Sequence, residues 1–203
     1  MAAEAVVAEQ IAEEDVLRAH VYRLLAKFLR AAPDQTALDS AAGISGDDSE
    51  LGQALGVLAK LAGRVLPKAC AEEYQNLFIG VGRGELVPYA SYYLTGFLNE
   101  KPLAKLRNDM RRLGIERRDA VREPEDHIAA LCEMMCGLIL GDFGEPLDLA
   151  AQKTFYYSHV ASWASHFFGD LEQARSSTFY GAVGSVGKAF IGIEDAAFEM
   201  VKA

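Results

Sequence analysis

Glu123, Asp126 and His127, followed by Cys132 and Cys136, put most of the chain's candidate chemistry into one short stretch. An Asp-His pair is the material of acid–base catalysis, and cysteines beside His and Asp are the material of a metal site. On a helix Cys132 and Cys136 share a face, but His127 lies five residues before Cys132, about 500° around the axis and off that face. A di-iron bundle needs Glu-x-x-His, and the residues three before His20, His127, His159 and His166 are Leu17, Pro124, Tyr156 and Trp163. For hydrolysis, Ser91 or Cys70 would be the nucleophile, with no third partner or oxyanion hole in evidence. No metal, cofactor or catalytic residue is expected, and the cysteines read as small buried hydrophobes. What remains for Asp126 and Glu123 is recognition, since a carboxylate accepts guanidinium hydrogen bonds more directionally than it meets a lysine.

These residues need an element to hold them. Pro124 suits the first turn of a helix, and Glu123, Glu125 and Asp126 place negative charge at the positive end of its dipole, so a helix is expected from here to about residue 140. The same six residues also read as a well-capped helix with a solvated histidine. Apolar residues at helical spacing predict further helices over 15–32, 34–42, 49–66, 68–78, 91–98, 101–113, 147–168 and 176–201, with Ser49 as a cap and Pro67 as a start. Glycines 181, 184, 187 and 192 are expected to loosen the last. Residues 79–90, with Gly80, Gly82, Gly84 and Pro88, lack periodicity and read as loop; no strand precedes those glycines and no Gly-Lys-Ser/Thr follows, so no Walker-type phosphate site is expected. No segment alternates with period two, and the fold is expected to be all-α. It is read as one helical domain, or as helical subdomains over 15–113 and 123–203 joined by a polar hinge at 114–122, after a disordered acidic tail over 1–14.

Hydrophobic residues make up 51% of the 203, and mean hydropathy is +0.05, enough for one substantial core. A net charge of −9 argues against nucleic acid or an anionic membrane as the main partner and favours a cationic one. The alanine-rich, acidic start does not read as a secretory signal, no apolar run spans a bilayer, and three cysteines suit a reducing cytoplasm. A cytoplasmic protein without stable membrane insertion is expected.

Three stretches together resemble a known family. Glu73-Tyr74-x-x-Leu77-Phe78-x-Gly80 leads to Pro88-Tyr89-x-Ser91-x-Tyr93; then comes Glu123-x-x-Asp126-His127-Ile128, and last His159-x-x-x-Trp163 with Phe179-Tyr180. In order and spacing they resemble the TorD/DmsD/NarJ redox-enzyme maturation chaperones over about residues 16–194. The Gly82 to Tyr89 form is similar to members that accompany formate dehydrogenases. The resemblance implies a chaperone, not an enzyme, whose partners are the twin-arginine signal peptide and the apo catalytic subunit of a molybdoenzyme, held for cofactor insertion. It points to Asp126, His127 and Glu123, with Pro88, Tyr89, Ser91 and Tyr93, as the peptide-binding residues, although tyrosines at helical spacing also read as core. Family members exchange helical halves between protomers, which makes 114–122 the crossover if the chain forms a domain-swapped homodimer; the sequence leaves monomer and dimer open. A helical adaptor binding another amphipathic segment is the alternative, indifferent to paired arginines.

Overall fold

A computed structural model describes residues 11–117 and 122–201. Residues 1–10 of the expected tail and 118–121 of the expected hinge therefore lie outside the described residues, and Glu13 and Glu14, placed in the tail from sequence, open the first helix. Ten α-helices occur among them: α1 (Glu13–Arg30), α2 (Gln35–Ala42), α3 (Glu50–Ala62), α4 (Pro67–Tyr74), α5 (Ala90–Thr95), α6 (Lys101–Arg112), α7 (Ile128–Leu140), α8 (Leu149–His159), α9 (Ala164–Gln173) and α10 (Phe179–Met200). No strand is formed among the described residues, so the fold is all-α as expected. None of these helices is long and apolar enough to cross a membrane.

Local chemistry sets many of the boundaries. Asp34 Oδ1 accepts from the Ala37 amide at 2.8 Å and Ser49 Oγ from the Gly52 amide at 3.0 Å, each satisfying a donor the helix cannot satisfy itself. Pro67 opens α4, where a missing amide hydrogen costs nothing. After Tyr74 the chain widens into a π-helical turn, Gln75–Ile79, closed by the Gly80 amide donating to the Gln75 carbonyl at 2.6 Å. Gly80 has φ 61°, and a Cβ there would lie 2.0 Å from the Arg83 carbonyl oxygen. Only glycine fits, which accounts for its place after Phe78.

The apolar run from Ile128 to Ile139 has no polar face wide enough for solvent, so α7 must lie in the middle. It packs on α1 and α8, while α10 packs on α9, α3 and α1. Helices from before and after 114–122 thus share one core, with Tyr22, Phe28, Trp163, Phe167 and Phe190 among its sealed rings. Arg18 of α1 reaches Glu194 of α10 through two bonds, 2.6 and 2.8 Å, with the Tyr22 hydroxyl and Gln152 of α8 completing the set. Glu194 has no exposed surface; such a pair survives burial because its lone pairs are filled.

Three expectations are corrected. The helix expected from Pro124 begins four residues later, at Ile128, because residues 124–127 form a turn whose backbone pairs with the segment around Tyr89. The single helix over 147–168 is two, since buried Val160 and Trp163 turn the chain and the Trp163 indole donates to the His159 carbonyl at 2.9 Å, closing the end of α8. The glycines of α10 do not loosen it. A Cβ on Gly184 would lie 2.6 Å from the Glu172 amide nitrogen and one on Gly187 would lie 2.1 Å from the Phe168 ring, so their absence lets α9 and α10 close together.

Candidate functional site

The two loop segments singled out by the sequence meet. Tyr89 and His127 face each other across one antiparallel bridge, in which the Ala90 amide donates to the Asp126 carbonyl at 3.0 Å and the Ile128 amide to the Pro88 carbonyl at 2.9 Å. Asp126 lies beneath this junction, 1% exposed. Its Oδ2 accepts from the Ser91 amide at 2.8 Å and from the Ser91 hydroxyl, while Oδ1 has no partner. The carboxylate thus satisfies the first turn of α5 from across the chain, and Ser91 is as fully buried as its partner.

His127 caps α7: its Nδ1 accepts from the Ala129 amide at 3.1 Å, so Nε2 carries the ring hydrogen. Burial first, and then the positive charge of Arg30, hold its pKa down to about 3, so the ring is neutral. The Tyr89 ring meets it edge-on, centroids 5.0 Å apart. The Tyr89 hydroxyl donates to Glu123 Oε2, and burial together with that carboxylate pushes the phenol pKa up. Burial would raise the pKa of Glu125, but hydrogen bonds from Arg107 at 2.7 and 2.9 Å prevail and hold it below its ordinary value.

Above this junction opens a cleft of about 720 Å³. Its apolar lining includes Tyr74, Phe78, Pro88, Tyr89, Met110 and Met134. The charged lining is Glu116, Glu123, Glu125, Glu133 and Asp142 against Arg23, Arg30 and Arg117. Arg30 is paired with Glu133, and Glu125 with Arg107 and Arg117. Glu116, Glu123 and Asp142 make no ion pair among the described residues, against one such cation, Arg23, which leaves a net acidic rim above an apolar floor.

Of the seven residues expected to bind, Pro88, Tyr89, Glu123 and His127 line this cleft. Asp126 and Ser91 do not, because they are spent on each other below it; their burial does not fit direct contact with a ligand. Tyr93 points elsewhere: its hydroxyl donates to Asp170 at 2.8 Å and its ring packs on Trp163 and Phe167. Sequence reasoning missed Met110, Met134, Glu116 and Asp142, which arrive from helices and turns with no signal beyond ordinary amphipathicity. Tyr74 and Phe78 stood in a quoted motif but read as one face of a plain helix.

The motif residue Glu73 also proves structural. Its carboxylate accepts from the Thr178, Phe179 and Tyr180 amides at 2.9–3.2 Å and so caps α10 from a distance, and Glu85 accepts from the Arg175 and Ser176 amides just ahead of it. Among the described residues no three His, Cys, Asp or Glu gather where a metal could sit. Cys132 is buried in the core, which pushes its thiol pKa up and leaves little thiolate.

Comparison with known proteins bears on this geometry. A family model described as "Nitrate reductase delta subunit" matches residues 45–169. Chaperone protein TorD of Vibrio cholerae is 27% identical over 190 residues, covering 90% of this chain and 82% of that protein. Chaperone protein TorD of Photobacterium profundum is 31% identical over 137 residues, 63% of this chain and 62% of that one. The crystal structure of a proposed redox enzyme maturation protein from Archaeoglobus fulgidus superposes with a TM-score of 0.60, at 21% identity over 86% of this chain and 93% of that one, which shows a common fold. With more than half of its length matched by that family's model, and with the motifs of the TorD/DmsD/NarJ type in place, the chain belongs to the nitrate reductase delta subunit family.

Proposed function

We propose that this protein is a cytoplasmic chaperone that grips the twin-arginine signal peptide of a molybdoenzyme catalytic subunit, and holds the apo subunit while its cofactor is inserted. One observation carries the reading: a cleft in which Glu116 and Glu123, carboxylates without ion pairs among the described residues, stand over an apolar floor. A twin-arginine leader has the complementary pattern, guanidinium groups followed by an apolar run. The guanidiniums meet the rim, where bidentate geometry favours arginine over lysine, and the apolar run lies on Tyr74, Phe78, Pro88 and the methionines, whose flexible side chains adapt to varied sequences. His127 supplies a neutral N–H donor at the same wall. Asp126 and Ser91 act as positioning residues that hold the wall in place. The relatives named chaperone protein TorD support the chaperone role. The form of residues 82–89 keeps a formate dehydrogenase as the expected client.

Calorimetric titration with a peptide carrying paired arginines and an apolar run, beside the same peptide with both arginines replaced by glutamine, tests the reading. Micromolar or tighter binding of the first, at least about tenfold weaker binding of the second, and weakening of the first with added salt are expected. Equal affinity for both peptides would make the protein an adaptor for amphipathic segments in general.

A further inference from the structure

Next to the cleft lies a second cavity of about 280 Å³, bounded by Leu113, Gly137, Leu138 and Leu147, with Arg112 and Glu145 at its margin. The two spaces share one lining residue, Phe143. Its ring rests on the bare backbone of Gly137: a Cβ at that glycine would stand 2.4 Å from the ring's Cε2 and 2.7 Å from Cζ. Gly137 thus makes the seat that the ring occupies, and the ring stands as a partition between the spaces. The turn that carries it is tied down at its ends, by the Asp142 amide to the Gly137 carbonyl at 2.8 Å and the Leu147 amide to the Leu138 carbonyl at 2.9 Å. Within the turn Gly141 and Gly144 both have positive φ, linked by a long bond from the Gly144 amide to the Gly141 carbonyl at 3.3 Å, and Phe143 itself is 36% exposed. A large aromatic ring with that much surface in water is weakly held, because only part of its apolar area stabilises its position.

We propose that Phe143 is a specificity-determining residue that ends the main cleft, and that the cavity behind it is a subsite for one further apolar side chain of the bound segment. The proposal rests on the peptide-binding reading above and specifies where the apolar run stops. With the ring on Gly137, the floor provided by Met110 and Met134 ends at the partition. When the ring lifts, the floor continues onto Leu113, Leu138 and Leu147, with space for a leucine-sized side chain and no buried charge to oppose it. Client segments with one more aliphatic residue at the far end of the apolar run gain that contact; shorter ones do not.

The test uses two twin-arginine peptides, the longer carrying one additional leucine at the far end of its apolar run, titrated into the full chain, Phe143→Ala and Phe143→Trp. The longer peptide is expected to bind the full chain several-fold tighter than the shorter. That ratio should rise about tenfold further in Phe143→Ala, where no ring has to move, and fall to near one in Phe143→Trp, whose larger ring fills the passage. In methyl NMR of the full chain, the longer peptide should shift Leu138 and Leu147 and the shorter should not. If the shorter peptide binds but the ratio is the same in all three proteins, or the two methyl patterns coincide, the subsite is overturned and the peptide-binding reading stands. If neither peptide binds the full chain, both fall together.

Discussion

Asp126 and His127 are neighbours with opposite duties. The Asp126 carboxylate is sealed and bound to Ser91, so its removal is felt through the fold. Asp126→Asn keeps the shape but loses the charge that draws the Ser91 donors, which costs about 1–3 kcal/mol and lowers Tm by several degrees in a chain of this size. Thermal melts check this; an unchanged Tm with lost peptide binding would return Asp126 to direct contact. His127 is held neutral with a pKa of about 3, against about 6.5 in an unfolded chain. Between those values the unfolded state takes up a proton that the folded state refuses, so the stability present above about pH 6.5 drains away as pH falls toward 3. Buried His159, also shifted down, adds to the same trend. Asparagine is a good helix cap that does not titrate, so His127→Asn should flatten the fall in urea midpoint between pH 6.5 and 4. Parallel pH profiles for the two proteins would show that His127 is not buried neutral. The type and adjacency of these two residues marked them in the sequence. Their division of labour was not legible, because it depends on a bridge to Tyr89, 38 positions before His127, that no local pattern encodes.

Helix periodicity carried the element scale well wherever one face meets solvent. The amphipathic stretches of α1 and α6, the cap at Ser49 and the helix start at Pro67 lie where their residues indicate. It failed where tertiary contacts outrank local preference. Pro124 and its acidic neighbours have every mark of a helix start, yet the Asp126 carbonyl accepts from the Ala90 amide and the Ile128 amide donates to the Pro88 carbonyl, which holds residues 124–127 as a turn. The run through Val160 is helical by composition, but Trp163 turns inward and breaks it. The glycines of α10 have low helix propensity, and their use appears only against α9. Gly187→Ala puts a methyl into the Phe168 ring and should destabilise by about 1–3 kcal/mol, whereas Gly192→Ala, with nothing within 4 Å of its added Cβ, should be neutral or stabilising by up to about 1 kcal/mol. Denaturant midpoints of the pair check this, and equal effects would mean that α9 and α10 are not in close contact.

Across the whole molecule, α1 and α7 pack together and supply the cleft's back wall, α6 gives Met110 to its floor, and the turns around Glu116, Glu123 and Phe143 form its rim. The net charge of −9 pointed to a cationic partner, and the cleft concentrates that bias into Glu116, Glu123 and Asp142, carboxylates without ion partners among the described residues. In the proposed complex a guanidinium of the client meets this rim, above all Glu123. A double-mutant cycle measures it directly, pairing the chain and Glu123→Gln with the paired-arginine peptide and its single arginine-to-glutamine variants. A coupling of about 0.5–1.5 kcal/mol between Glu123 and one of the two arginines is expected. Strictly additive losses, with no coupling to either arginine, would contradict it.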